Sequence, residues 1–146
     1  MSRIDLKQRN DSVDSVEKSG TGKAKNIALW VLQVLAAGMF LMAGSGKLAG
    51  SEQMTATFNT IGLGQWFRYF TGGIEVLSAV LLLIPSLSGI GALLMVGTMI
   101  GAVATHLFIL GGTAIPAAVL LVVTAIIAFG RREQITNLIN RVLNKV

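Results

Sequence analysis

The stretch LSGIGALLMVGTMIGAVATHLFIL, residues 87–110, contains no Asp, Glu, Lys or Arg. As a helix it rises about 36 Å, more than the roughly 30 Å hydrocarbon core of a bilayer. Its apolar residues run continuously instead of alternating with polar ones, which argues against a strand of a membrane β-barrel. In hydrocarbon every backbone N–H and C=O must find its partner within the protein, and a helix does this within one segment. Working outward, three more apolar runs appear, at 27–46, 67–84 and 115–129. The run at 27–46 also has full spanning length. The two shorter ones draw on interfacial residues such as Trp66, Tyr69 or Thr113, or sit in locally thinner membrane. Pro85-Ser86 predicts a tight turn between the second and third helices. Gly111-Gly112-Thr113 predicts the next turn, with Thr113 as N-cap and Pro116 in the first helical turn. The expected fold is all-α: an integral membrane four-helix bundle over 27–130, with a C-terminal amphipathic interfacial helix.

Composition agrees. The chain is 53% hydrophobic and only 13% charged, against about one quarter charged in soluble domains. The formal charge of +5 is carried by the two ends. Of the 12 Lys and Arg residues, six lie at or before Lys25 and four at or beyond Arg131, leaving Lys47 and Arg68 between them. No nucleic-acid motif or basic helix face accompanies this charge, so no nucleic-acid partner is expected. Membrane lipids are the expected partners of such flanks. An even number of spans places both basic ends on one side. The positive-inside bias makes that side the cytoplasm, so the expected location is multi-pass in the cell membrane with both termini cytoplasmic.

Residues 1–26 are polar and show no hydrophobic period, which predicts a disordered cytoplasmic tail. Residues 131–146 read as a basic amphipathic juxtamembrane helix. Ile135, Leu138, Ile139, Val142, Leu143 and Val146 share one face, with Arg131, Arg132, Arg141 and Lys145 around it. The twenty or so residues from Lys47 to Trp66 read as a long loop facing outward. There are no cysteines, so this chain holds no disulfide, thiolate ligand or cysteine nucleophile.

Ionisable groups are costly in hydrocarbon, so their positions inform. With the N-terminus inside, Lys47, Arg68, Glu75 and His106 all fall in the outer half of the membrane, from three different helices. Helical spacing puts Arg68, Gly72, Glu75 and Ala79 on one stripe. Gln33, Ala37, Phe40, Gly44 and Lys47 form another, and Thr98, Ala102 and His106 a third. These stripes predict one polar chamber open toward the outer face. Lys47, Arg68, Glu75 and His106 are its candidate ligand-binding residues, with Gln33 deeper and suited to an interhelical hydrogen bond. Each has a structural reading as well: interfacial anchors for Lys47 and Arg68, an ion pair for Glu75, a carbonyl bond for His106. One His with one Glu is too few for a metal site. No catalytic residue can be assigned. Gly97-x-x-x-Gly101 suggests close helix packing within the bundle, or a dimer seam between two copies.

The run Ala43-Gly44-Ser45-Gly46-Lys47-Leu48 resembles a motif of the DoxX-like membrane proteins. So do Gly72-Gly73-Ile74-Glu75-Val76-Leu77, the following Leu83-Ile84-Pro85, and His106-Leu107. The resemblance covers about residues 27–129 and implies a four-helix membrane bundle. Lys47, Glu75 and His106 match the family pattern by position. The family takes its name from a subunit of a thiosulfate:quinone oxidoreductase. The resemblance therefore implies a non-catalytic accessory subunit of a redox, quinone-linked system, with a quinone as the candidate cofactor and none carried covalently. Any thiol chemistry would reside on a redox partner protein. A fixed cationic donor near a proton acceptor suits a quinone head physically. Alternatives are a small-solute or proton transporter, made up to sufficient size as a homo-oligomer, and a structural or assembly factor whose ion pairs only hold the bundle.

Overall fold

The computed structural model describes residues 3–144, whose regular elements are all helices, with no strand among them. The chain divides into two compact units, Met1–Val31 and Leu32–Val146. In the first unit, helix α1 (Arg3–Ala49) already starts at Arg3. Residues 3–26 of the segment expected to be disordered are therefore helical, and Met1 and Ser2 lie outside the described residues. No proline interrupts this stretch. Extending an existing helix avoids the cost of nucleation, so polar residues of ordinary propensity can continue it. Ser12, Ser15 and Thr21 turn their hydroxyls back onto helix carbonyls three or four residues earlier. Every residue from Arg3 to Ala28 is exposed.

The second unit begins within α1 and continues through α2 (Glu52–Ile61), α3 (Gln65–Leu83), α4 (Ser88–Thr105), a π-helical turn (His106–Leu110), α5 (Ile115–Gly130) and α6 (Arg132–Leu143). Among the described residues three helices are long and apolar enough to cross a membrane: α1, α3, and α4 with its π-helical turn. A fourth candidate is α5 together with α6, bent by 58° at their junction. Three of the four expected spans thus reappear with boundaries shifted by a few residues, the first helix being far longer, and the expected span at 115–129 qualifies only together with α6.

Two punctuation marks work as their chemistry requires. Ile84 is extended (φ −90°, ψ 117°), because the ring of Pro85 disfavours helical geometry in the residue before it. That ends α3. Before α5, Ala114 and not Thr113 occupies the N-cap; the Thr113 hydroxyl, one residue earlier, accepts the Ile115 N–H at 3.3 Å, and Pro116 stands in the first turn as expected.

The region expected as a long loop instead holds α2. Ser51 stands at its N-cap with Glu52 in the first turn. Gly62 ends it at φ +79°, donating its N–H toward the Phe58 and Asn59 carbonyls. Met54, Phe58 and Ile61 share its inner face, and Phe58 is buried against Phe67 with ring centroids 5.9 Å apart. The apolar core collects Ala36, Ala37 and Phe40 of α1, Ala79 and Leu82 of α3, Ala92, Met95 and Met99 of α4, and Ala117, Ile127 and Ala128 of α5.

Two crossings are tight enough to demand glycine. A Cβ on Gly91 would lie 2.7 Å from the Leu82 nitrogen and 2.8 Å from the Ser78 carbonyl oxygen. A Cβ on Gly72 would lie 2.9 Å from the Lys47 Cβ, and one on Gly44 2.9 Å from the Gly72 oxygen. These contacts set the register of α3 against α4 and of α1 against α3.

At the other end of the unit, Gln33 is fully buried. It donates to the Leu82 carbonyl at 2.8 Å and accepts from the Arg131 Nε at 2.7 Å. Gln33 therefore bonds between helices, and its partner cation comes from the α5–α6 junction. Ser88 donates to Gln134 at 2.7 Å, and Ile135 lies close beside Gly89. The first turn of α6 is thereby docked under α4. Ile139, Val142 and Leu143 remain exposed. Lys145 and Val146, counted with this amphipathic face, lie outside the described residues.

Candidate functional site

The expected stripes of α1 and α3 are the buried ones. Arg68, Gly72, Glu75 and Ala79 are all buried, as are Gln33, Ala37, Phe40 and Gly44. Helical spacing alone brings each set onto one face. Packing then aims them at each other. Lys47, near the end of α1, donates from Nζ to both carboxylate oxygens of Glu75, at 2.7 and 2.6 Å. The side chains are 16% and 3% exposed. At this burial, the pair holds together because each charge compensates the other where water cannot.

Beside the pair lies a cavity of about 720 Å³. That volume is in the range of small-molecule sites, roughly 300–1,000 Å³. Its walls come from α1, α2, α3, α4 and the π-helical turn. Phe58, Ile61, Phe67, Phe70, Ile74 and Leu94 give it an apolar lining. Lys47, Glu75, Thr71, Thr98, Thr105 and His106 add polar groups. Of the four residues singled out from sequence, three border this space: Lys47, Glu75 and His106.

Arg68 does not. Its side chain is buried behind the chamber, where it donates to the Lys47 backbone carbonyl and, from Nε, to the Gln65 Oε1 at 2.6 Å. Its guanidinium also lies 4.2 Å from the Tyr69 ring centroid and packs against Gly50. Arg68 is thus a positioning residue: it holds the end of α1, from which the Lys47 side chain departs. Gln65 continues the chain of bonds to α2, donating to the Thr55 carbonyl and to Asn59 Oδ1. The planar fork explains why arginine and not lysine serves here. Arg68→Lys is expected to cost about 1–3 kcal/mol, the loss of a charged hydrogen bond. Amide exchange at Lys47–Gly50 should speed up in that variant; unchanged exchange would leave Arg68 without this role.

His106 is not next to the ion pair. Gly91 lies against Ser78 and Leu82, so the level of Glu75 on the antiparallel α4 is the turn around Val96 and Gly97. His106 stands some nine residues further on, about 14 Å along the axis. Lys47–Glu75 therefore lies toward the Leu93 and Leu94 end of the chamber, and His106 toward the opposite end. A direct proton relay between Glu75 and His106 does not fit this spacing. His106 begins the π-helical turn, and its Nδ1 is buried without a hydrogen-bond partner among the described residues. π-turns often accompany functional positions.

Gly97 and Gly101 line the chamber, and a Cβ on either would meet nothing within 4 Å. The close packing expected of this pair falls instead to Gly91. Sequence reasoning missed two contributors, α2 and these glycines. The signals available were Ser51 and Gly62 bracketing an amphipathic turn for α2; open space beside a glycine leaves no trace in sequence. Among the described residues no three of His, Cys, Asp and Glu group as metal ligands.

Residues 31–129 match the DoxX-like family. No curated protein and no solved structure matches the chain.

Proposed function

Since the chain belongs to the DoxX-like family of membrane proteins, we propose that it is a non-catalytic accessory subunit of a quinone-linked redox system, whose chamber takes a small lipophilic ligand with a polar head. The observation that carries this reading is the Lys47–Glu75 pair in the wall of a mostly apolar cavity. The pair is charge-neutral as a unit, so it disfavours a strongly charged head of either sign. The ammonium has three donors and gives two to Glu75. The third can meet a ligand carbonyl, while the carboxylate accepts from a ligand hydroxyl. A quinone offers the carbonyl for Lys47, and its quinol offers the hydroxyl for Glu75 from the same ring position. The chain supplies the binding site and no electron carrier, so oxidation and reduction belong to a partner protein.

The membrane arrangement proposed with this function has four spans. They are the apolar part of α1, then α3, then α4 with the π-helical turn, then α5. α6 lies in the cytoplasmic interface with Ile139, Val142 and Leu143 toward lipid. α5 has 16 residues, about 24 Å of helix, short for a span and in keeping with the bend that follows it. The basic ends face the cytoplasm. The chamber then opens toward the outer side, with His106 near its rim.

The test uses the full chain in nanodiscs and a decyl-substituted benzoquinone. Saturable binding in about the micromolar range is expected. Glu75→Gln keeps one acceptor for Lys47 and should fold, yet bind at least about tenfold more weakly. Absence of saturable binding by the wild-type chain would sink this proposal.

A further inference from the structure

We infer that Gly97 and Gly101 are the specificity-determining residues of the chamber: their missing side chains are what make room for the ligand. This rests on the reading of the chamber as a lipophilic ligand site and names what limits the size of its occupant. Both glycines lie four residues apart on one face of α4, within the cavity lining. Neither supports the fold by close approach, since the space where a Cβ would stand is open to 4 Å. Neither has a positive φ, so the backbone does not require glycine at either position. In a helix interior glycine is the least favourable residue after proline. Two such residues on the chamber wall, required by neither backbone nor packing, are accounted for by the space they leave.

The register sharpens the assignment. Gly97 stands level with Glu75 and Gly101 level with Phe70 and Thr71. Gly97 therefore clears the place opposite the ion pair, where a polar head would sit. Gly101 clears the stretch opposite Phe70, where an apolar body would pass. Leu93 and Leu94 line the space just beyond the pair. From there to Thr105 the chamber extends about 16 Å along α4. The occupant that fits is an elongated amphiphile, seated head inward on Lys47–Glu75, with its apolar portion running along Gly101 toward the His106 rim.

The substitutions that test this do not threaten the fold. Gly97→Leu and Gly101→Leu each put a side chain into empty space and raise helix propensity. Their melting temperatures should equal or exceed that of the wild-type chain. Gly38→Leu is the control: Gly38 is also helical, exposed and without neighbours within 4 Å, but it does not line the chamber. Each chain is titrated in nanodiscs with the decyl-substituted benzoquinone and with the same ring lacking the decyl chain. Gly97→Leu should weaken both probes by at least about tenfold. Gly101→Leu should weaken the decyl probe and leave the bare ring nearly unchanged. Gly38→Leu should bind as wild type does. Wild-type affinity in folded Gly97→Leu and Gly101→Leu overturns the inference while leaving the ligand site itself standing. A shift in oligomeric state with binding unchanged overturns it in favour of a dimer seam. Failure of the wild-type chain to bind either probe removes the reading on which it rests.

Discussion

Lys47→Met is expected to destabilise the protein by about 3–5 kcal/mol, the usual cost of stripping one partner from a buried ion pair. The reason lies on the other side of the pair. Glu75 is only 3% exposed and receives both of its side-chain bonds from Lys47. Without the ammonium its carboxylate must stay charged in an apolar wall or take up a proton. Glu75→Leu should be costly for the mirror reason, somewhat less so because the Lys47 stem can carry its charge toward the chamber. The double variant Lys47→Met/Glu75→Leu removes both charges together. It should recover to within about 1 kcal/mol of the wild-type chain, or exceed it, since well-packed apolar pairs often match buried ion pairs. Thermal unfolding of all four chains in one detergent measures the coupling. Additive single effects would mean that the two groups do not depend on each other. The recovered double variant also separates fold from function: stable and unable to bind the benzoquinone probe, it would show that the pair serves the ligand.

The second large effect concerns a residue with no side chain. Gly91→Val should cost more than about 3 kcal/mol and leave little monodisperse protein, because overpacking here has no flexible neighbour to absorb it. The atoms nearest to the added Cβ are the Leu82 nitrogen, the Ser78 carbonyl oxygen and the Leu81 carbonyl carbon, at 2.7, 2.8 and 3.0 Å. All three belong to the backbone of α3. Relief requires α3 and α4 to part, which opens the layer where Ala79 and Leu82 meet Ala92 and Met95. Gly97→Ala, six residues along the same helix, should be neutral or stabilising, since its Cβ enters open space. Size-exclusion profiles and melting temperatures of the two variants, made side by side, give the comparison. An unchanged melting temperature in Gly91→Val would show that the close crossing is not present in the folded protein.

These two expectations divide along what can be read locally. The 3.6-residue period, applied to 67–84 and 27–46, identifies the buried faces that carry Glu75 and Gln33. It does so because a helix presents its neighbours at fixed angles whatever surrounds it. The same local rule misjudged residues 3–26. There composition pointed away from structure, but propagation from the adjoining apolar helix needs no burial. It also missed α2, whose ten residues offer few periods to count.

Which stripe meets which, and at what height, is not a local property. Lys47 and Glu75 are 28 residues apart. Their contact follows from the close approach of Gly44 and Gly72, a steric fact that only the assembled helices possess. Arg68 shares a face with Glu75, yet its fork turns to the Lys47 carbonyl, because a buried guanidinium takes whichever acceptors lie nearest. His106 shares the chamber but stands near its other end, since the turn at Pro85 and the contact at Gly91 set the slide of α4 along α3. Gly91 and Gly97 illustrate the difference most directly. In the sequence they are two glycines six residues apart on one apolar run; in the fold one touches backbone and the other faces empty space.

The sequence by itself determined that this chain is helical, that it carries helices of membrane length, and which faces of α1 and α3 are buried, because those follow from hydrophobicity and helical period. Only the tertiary structure decided that Lys47 and Glu75 pair, that Arg68 supports from behind, and that a cavity lies beside them, because those depend on where separate helices cross.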